Sequence, residues 1–100
     1  GRLYACEEYE PATQEAMCLG HLDSLGNLAQ LADSNEKLRY LLSRNVNTIP
    51  HCKRCWLRTQ CGGGCTHRAL AQTGNILGLD PMCRFYKKIY PDLMWILAFI

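Results

Sequence analysis

Four cysteines within fourteen residues restrict the folds open to this chain more strongly than any other part of its sequence. They run from Cys52 to Cys65 in the pattern CX2CX5CX3C, and three consecutive glycines, residues 62–64, separate the last two. Thiolate sulfur binds zinc and iron–sulfur clusters, and a metal draws neighbouring thiolates onto one centre. The run therefore predicts a metal or cluster site.

The chain has seven cysteines in 100 residues, and the other three are Cys6, Cys18 and Cys83. A disulfide framework is typical of small secreted chains with an even number of cysteines, whereas this count is odd and no signal peptide is visible at the start. The CX2C and CX3C spacings also suit chelation better than bridging. Reduced thiols that hold metal imply a reducing, cytoplasmic compartment.

The bulk composition describes one folded domain without a membrane-spanning segment. The sequence is 48% hydrophobic and 20% charged, as expected of a globular chain, and its net charge of +2 is too small to predict binding to nucleic acid or to a membrane. The final apolar run, residues 93–100, is shorter than the about 20 residues that a membrane-spanning helix needs. That run ends without a polar cap, and Gly1 is not an initiator methionine, so we expect a domain cut from a longer protein.

The N-terminal part of the sequence predicts a β-hairpin. Short apolar patches at residues 3–6 and 16–19 can pair as two strands, with a turn at residues 11–14 between them. Such pairing would bring Cys6 and Cys18 to one end of the ribbon.

A loop and a helix are predicted next. Residues 20–32 contain turn-forming glycines and no sustained periodicity, which indicates a loop. Asp33 and Glu36 form a variant of the capping box ahead of leucines at helical spacing, which predicts an amphipathic helix over residues 34–44.

Two further helices are predicted around the last cysteines. Good helix formers cover residues 66–73, and Gly74 suits the C-terminal end of that helix. The Asp–Pro pair at 80–81 suits the start of a short helix with Cys83 in its first turn, which Pro91 would break. Residues 1–100 are therefore expected to form a small α+β domain dominated by its metal or cluster sites, with an N-terminal β-hairpin followed by short helices and cysteine-bearing loops.

The spacing of the run favours iron–sulfur clusters over zinc. Four-cysteine zinc sites usually take two CX2C pairs that are about 12 to 20 residues apart, whereas here the second pair follows the first by five residues. Compact cysteine runs are typical of ferredoxins, in which the last cysteine of a run can ligate a second cluster. Glycines 62–64 allow the sharp reversal that would turn Cys65 away, and their amide groups can donate to anionic sulfur.

All seven cysteines together resemble a known family. CX2CX5CX3C, followed by seventeen residues and Cys83, is similar to the SPASM domain, the C-terminal auxiliary-cluster module of many radical S-adenosylmethionine enzymes. The spacing of Cys6 and Cys18 matches the leading CX9–15GX4C element of that family, and the resemblance covers residues 6–83. One position departs from the pattern, because Thr13 stands where the family has a glycine.

The resemblance implies two [4Fe–4S] clusters with separate sets of ligands. The first cluster would be closed by four cysteines of this chain: Cys52, Cys55, Cys61 and Cys83. The second would be held by Cys6, Cys18 and Cys65, which leaves its fourth iron without a cysteine of this chain. Family members fill that place with a further upstream cysteine, another side chain or substrate. We expect His21, His51 and His67 to be surface residues or outer hydrogen-bond partners rather than ligands.

Other residues near the run have predicted roles around the clusters. Trp56 and Leu57 are expected to pack over a cluster and reduce its exposure to water. Lys53, Arg54 and Arg58 either offset the negative charge of the thiolate ligands or form a solvated face.

The resemblance further implies a function within a longer enzyme. Similar domains occur in anaerobic sulfatase-maturating enzymes and in maturases of ribosomal peptides, where the auxiliary clusters transfer electrons or bind substrate. The partners would be the radical S-adenosylmethionine barrel of the same parent chain and a peptide or protein substrate. This chain lacks the CX3CX2C motif, because Arg68 stands where its third cysteine would be, so we expect it to be inactive alone towards S-adenosylmethionine.

An alternative from another class is a zinc-stabilised module that binds protein or nucleic acid. It predicts colourless protein with tetrahedral thiolate sites. Zinc can also replace iron in cluster domains that are prepared in air, so the two hypotheses need an anaerobic test.

Overall fold

The computed structural model describes residues 1–8, 11 and 13–100, and it confirms a small α+β domain in which a two-stranded antiparallel hairpin precedes the helices. The predicted turn at residues 11–14 lies partly outside the described residues. The regular elements, in chain order, are strand β1 (Arg2–Tyr4), helix α1 (Gln14–Met17), strand β2 (Cys18–His21), a 3-10 turn (Leu28–Gln30), and helices α2 (Leu31–Ser34), α3 (Glu36–Leu42), α4 (Arg58–Cys61), α5 (Thr66–Thr73) and α6 (Cys83–Ala98).

The predicted hairpin is confirmed, with an irregular register. Leu3 pairs with Gly20 and Tyr4 pairs with Cys18, so the ladder shifts by one residue between these two pairs. The amide of Ala5 donates to the carbonyl of Met17 at 2.8 Å, which continues the ribbon beyond the strands. This shift is a β-bulge, which re-aims the side chains that follow it.

The segment between the hairpin and α3 is more ordered than the loop predicted for residues 20–32. β2 continues to His21, and the 3-10 turn and α2 occupy much of the remainder. The predicted cap of the next helix is also wrong, because Asp33 lies inside α2 and Asn35 caps α3. The Asn35 side chain accepts the amide of Leu38 at 2.9 Å and donates to the carbonyl of Leu19 at 2.8 Å. That second bond ties the helix to the hairpin, a contact that local sequence does not indicate.

The first of the two later helices matches its prediction, whereas the second begins later than predicted and continues past its predicted break. α5 spans residues 66–73 and ends at Gly74, whose φ of 69° lies in the left-handed region. α6 carries Cys83 in its first turn as predicted, but it begins at that residue, two positions after Pro81, and it continues through Pro91. A proline inside a helix removes one hydrogen bond and costs about 3 kcal/mol, but good helix formers on both sides, such as Lys88 and Leu93, favour continuation.

The buried residues include one hydrophobic cluster. Met17, Leu41 and Ile76 pack together between the hairpin, α3 and the segment after α5. Ile49 and Leu57 are each 1% exposed and lie beside the cysteine run. The last part of α6, from residue 93 onward, is exposed although it is apolar. Among the described residues, no helix is both long enough and apolar enough to cross a membrane.

Candidate metal centre

Four cysteines from two separate stretches of the sequence line one cavity. The cavity is small, with a volume of about 20 Å³, and the thiol-bearing residues on its wall are Cys52, Cys55, Cys61 and Cys83. Three of these belong to the run, and the fourth begins α6. They are the four residues that the resemblance to the SPASM domain implies as ligands of the closed cluster, and their role as ligands stays a prediction. We refer to this space as the first cavity.

Consecutive tight turns position the four cysteines around the first cavity. The amide of Cys52 donates to the carbonyl of Ile49, and the amide of Cys55 donates to that of Cys52, both at 3.0 Å. α4 then carries Cys61, whose amide donates to the carbonyl of Leu57 at 2.9 Å. Because Leu57 is buried and lines the same cavity, its side chain fixes this turn against the protein interior.

The thiols of the first cavity affect one another electrostatically. Burial raises the pKa of Cys52, the thiolates of Cys55, Cys83 and Cys61 raise it further, and Arg44 lowers it. Burial likewise raises the pKa of Cys83, while Lys87 lowers it. Thiols bind metal as thiolates, so a metal or cluster that binds here would displace their protons.

The three glycines form the turn that the sequence predicts. Their φ angles are 69°, 92° and 74°, so the whole segment 62–64 is left-handed, a conformation that costs other residues roughly 1–2 kcal/mol each. A side chain would also meet neighbouring atoms. A Cβ at Gly63 would stand 2.8 Å from Ile49 Cδ1, and one at Gly64 would stand 2.3 Å from Asp80 Oδ2. The turn therefore needs glycine for its backbone and for close packing at these two positions.

Asp80 lies against this turn and is a residue that the sequence identified only as a helix cap. Its carboxylate is 2% exposed and accepts the amide of Met82 at 2.9 Å, but the N-cap of α6 is Met82, so Asp80 lies two residues before the position predicted for it. It also accepts the amide of Cys65 at 2.7 Å and two bonds from Arg68. Burial would raise the pKa of Asp80, but the bonds from Arg68, Cys65 and Met82 together lower it.

Arg44 is a second residue that the sequence did not indicate. Its guanidinium donates to three backbone carbonyls, those of Gly63, Ile76 and Gly78, at 2.7, 2.8 and 2.6 Å. It therefore joins the end of α3 to the glycine turn and to the segment after α5. An arginine after a helix carries no local signal for such contacts, because their partners are 19 to 34 residues away.

The predicted second set of cysteines is divided between two cavities. Cys6 and Cys65 line one cavity together with His67, whereas Cys18 is buried and lines a separate cleft together with His21. The structure therefore gathers two of the three thiols around one space. The assignment of Cys18 to the same cluster stays a prediction.

Thr13 and His67 form a contact beside Cys65. His67 is 5% exposed, and its Nε2 lies 2.8 Å from Thr13 Oγ1. The φ of Thr13 is −117°, so the position does not need the glycine of the family that the sequence resembles. The hydroxyl instead holds the imidazole, as expected of an outer hydrogen-bond partner.

Some of the other residues predicted to lie around the clusters line the first cavity, and others are exposed to solvent. Leu57 lines the first cavity as expected, but Trp56 is 63% exposed and does not cover the cavity, because the turn at Leu57 directs only one of the two side chains inward. His51 and Arg58 line the first cavity, while Lys53 and Arg54 are exposed.

All seven cysteines are free thiols. Within the described part of the chain, no three histidine, cysteine, aspartate or glutamate side chains lie close enough together to hold a single metal ion.

Comparison with known proteins gives little guidance to function. No protein-family model matches the chain, and no solved structure matches it. One relative, an uncharacterized protein of Archaeoglobus fulgidus, is 30% identical over 99 residues. The match covers 96% of this chain and 22% of the archaeal protein, so the chain spans about a fifth of the length of its relative.

Proposed function

We propose that this chain is an auxiliary iron–sulfur domain that binds a [4Fe–4S] cluster through the four cysteines of the first cavity. The observation that carries the proposal is that Cys83, distant in sequence, completes the wall begun by Cys52, Cys55 and Cys61. Four thiols are the usual ligand set of such a cluster.

The spacing of the cysteines along the sequence supports a cluster over a single zinc ion, because compact cysteine runs are typical of ferredoxins. The two groups also need different separations of the thiols. A tetrahedral zinc ion binds each thiolate at about 2.3 Å, which places neighbouring sulfurs about 3.8 Å apart. A [4Fe–4S] cluster holds its thiolates farther apart, because each thiolate binds a different iron.

The surrounding charge is suited to an anionic group. Residues 51–90 contain seven of the 11 lysines and arginines but one of the nine aspartates and glutamates. That single acid, Asp80, is paired with Arg68. Arg58 and Lys87 line the first cavity, and Arg44 lowers the pKa of Cys52. A cluster with four thiolate ligands is negatively charged, so this cationic environment favours its binding.

The second cluster is proposed at Cys6, Cys65 and Cys18. Cys6 and Cys65 already share a cavity, and the amide of Glu8 lies 3.4 Å from Cys6 Sγ, where it can donate to the sulfur. Binding would require Cys18 to reach the same space. Bound clusters of this kind accept and release single electrons.

We propose that the domain serves a longer radical S-adenosylmethionine enzyme that modifies a peptide or protein in the cytoplasm. The cysteine pattern supports this parent, and the archaeal relative shows that a similar sequence occurs within a much longer protein. In this account the parent barrel binds S-adenosylmethionine, and neither nucleic acid nor a membrane is a partner.

Iron analysis tests the proposal. The chain is purified and reconstituted without oxygen, and iron per chain is compared between the wild type and Cys83→Ala. We expect about eight irons in the wild type, because each of two clusters has four, and about half of that in the variant. Equal iron in both proteins would contradict the role of Cys83.

The zinc-stabilised binding module remains the second candidate, because thiolates are good zinc ligands. It is favoured if the protein prepared without oxygen is colourless and contains stoichiometric zinc.

A further inference from the structure

One buried carboxylate lies between the two proposed cluster sites. Asp80 Oδ2 accepts the amide of Cys65 at 2.7 Å, and Asp80 Oδ1 accepts the amide of Met82 at 2.9 Å. Cys65 belongs to the second set of ligands, while Met82 immediately precedes Cys83, which belongs to the first. The backbones that carry one ligand of each set therefore meet at a single side chain.

The hydrogen bonds of this carboxylate are specific and protected from water. Asp80 is 2% exposed, and Arg68 donates to both of its oxygens, at 3.1 Å from Nε and 2.9 Å from Nη2. Arg68 also donates to the hydroxyl of Tyr86, on α6. A paired arginine and carboxylate with two parallel bonds have a defined geometry, so the position of Asp80 is fixed from the side of α5 and from the side of α6.

The glycine turn is shaped to admit this carboxylate. A Cβ at Gly64 would lie 2.3 Å from Asp80 Oδ2 and 2.8 Å from its Cβ, so a side chain at this position would displace the acid. Asp80 also lines the first cavity. It therefore contacts the turn that separates Cys61 from Cys65 and the space that the first set of thiols surrounds.

We propose that Asp80 is a positioning residue for both cluster sites, which holds the backbone of Cys65 and the start of the helix that carries Cys83. This inference rests on the proposed function. The effect of Asp80 differs from that of any single ligand, because replacing a cysteine side chain leaves in place the backbone amide that Asp80 accepts. Loss of the carboxylate should weaken both sites, whereas loss of one thiol should weaken one.

The negative charge of Asp80 gives a second consequence, which a purely structural role would not produce. Reduction adds an electron to a cluster, and a nearby carboxylate disfavours that added charge. Replacement by a neutral amide should therefore raise the midpoint potential of the cluster in the first cavity.

The test combines Asp80→Asn with variants that keep one site each. Cys65→Ala leaves the first cluster and Cys61→Ala leaves the second, and iron loss to a chelator is measured in each background. We expect Asp80→Asn to speed iron loss in both, by roughly 10- to 100-fold, the usual effect of losing an outer partner of a metal ligand. It should also raise the midpoint potential in the Cys65→Ala background. Asp92→Asn, which removes an exposed charge from α6, is the control and should change neither.

The outcomes are distinguishable from failure of the proposed function. If the wild type binds no iron, the function itself is wrong. If it binds iron and Asp80→Asn behaves like Asp92→Asn, or weakens one site only, the inference is overturned. Should Asp80→Asn not fold, Arg68→Lys decides, since it keeps the cation but loses the paired geometry. Faster iron loss in both backgrounds supports the inference, and any other result refutes it.

Discussion

At the scale of single residues, Gly64 is the position where an added methyl group should lower stability most. We expect Gly64→Ala to lower the free energy of unfolding by more than 2 kcal/mol, because left-handed strain of roughly 1–2 kcal/mol adds to a clash with buried Asp80. Gly62→Ala is the matched control, since Gly62 has a similar φ of 69° but open space around it. Urea denaturation of the apoprotein measures both, and equal losses would contradict the close approach of Asp80.

Arg44 allows a second prediction at this scale. Arg44→Met removes bonds to three carbonyls that lie in two different segments. We expect a loss of about 2 kcal/mol or more, because hydrogen bonds to charged groups are worth about 1.5–3 kcal/mol each when they are shielded, and this side chain is only half-buried. Arg39→Met, at an exposed position of α3, should change stability little in the same denaturation series.

At the scale of elements, the turn between α4 and α5 assigns two neighbouring thiols to different sites. Cys61 lines the first cavity, and Cys65 lines the cavity that Cys6 also lines. We therefore expect Cys61→Ala to weaken only the four-cysteine cluster and Cys65→Ala only the other. Electron paramagnetic resonance of the reduced proteins can distinguish the two clusters. Loss of both signals in both variants would show that the partition is wrong.

The elements also show which structural features the sequence could predict. α5 and the hairpin were predictable because their signals are local, such as Gly74 after a run of helix formers and apolar patches at strand spacing. The cap at Asn35 was missed because Asp33 and Glu36 form an equally plausible local pattern. The asparagine prevails through its bond to Leu19, a tertiary contact. The continuation of α6 through Pro91 likewise shows that a proline lowers helix stability without forbidding a helix.

The cysteines of the first cavity could be anticipated, whereas the residues that support them could not. The resemblance to the SPASM domain implied one set of four cysteines, and these four line one cavity, although their binding of a cluster stays a prediction. Asp80, Arg68 and Arg44 act through partners far away in sequence, so no spacing rule indicates them. Cys18 shows that spacing alone is not sufficient to place a ligand. Its spacing from Cys6 matches the family pattern, but the two residues line different cavities.

At the scale of the whole molecule, a small net charge conceals an uneven distribution. The chain carries +2 overall, yet its first fifty residues contain seven acids and four lysines or arginines. The cations concentrate in residues 51–90, which form the first cavity. The net charge is too small to predict binding to nucleic acid, whereas the local excess of cations is suited to an anionic cluster.

The content of acid-labile sulfide tests the central claim most directly, because zinc sites contain none and each [4Fe–4S] cluster contains four sulfides. The protein is purified and reconstituted without oxygen, and sulfide is measured per chain together with iron. The account predicts about eight sulfides per chain, or about four if only the first cavity is filled. Protein without sulfide that holds stoichiometric zinc would contradict it.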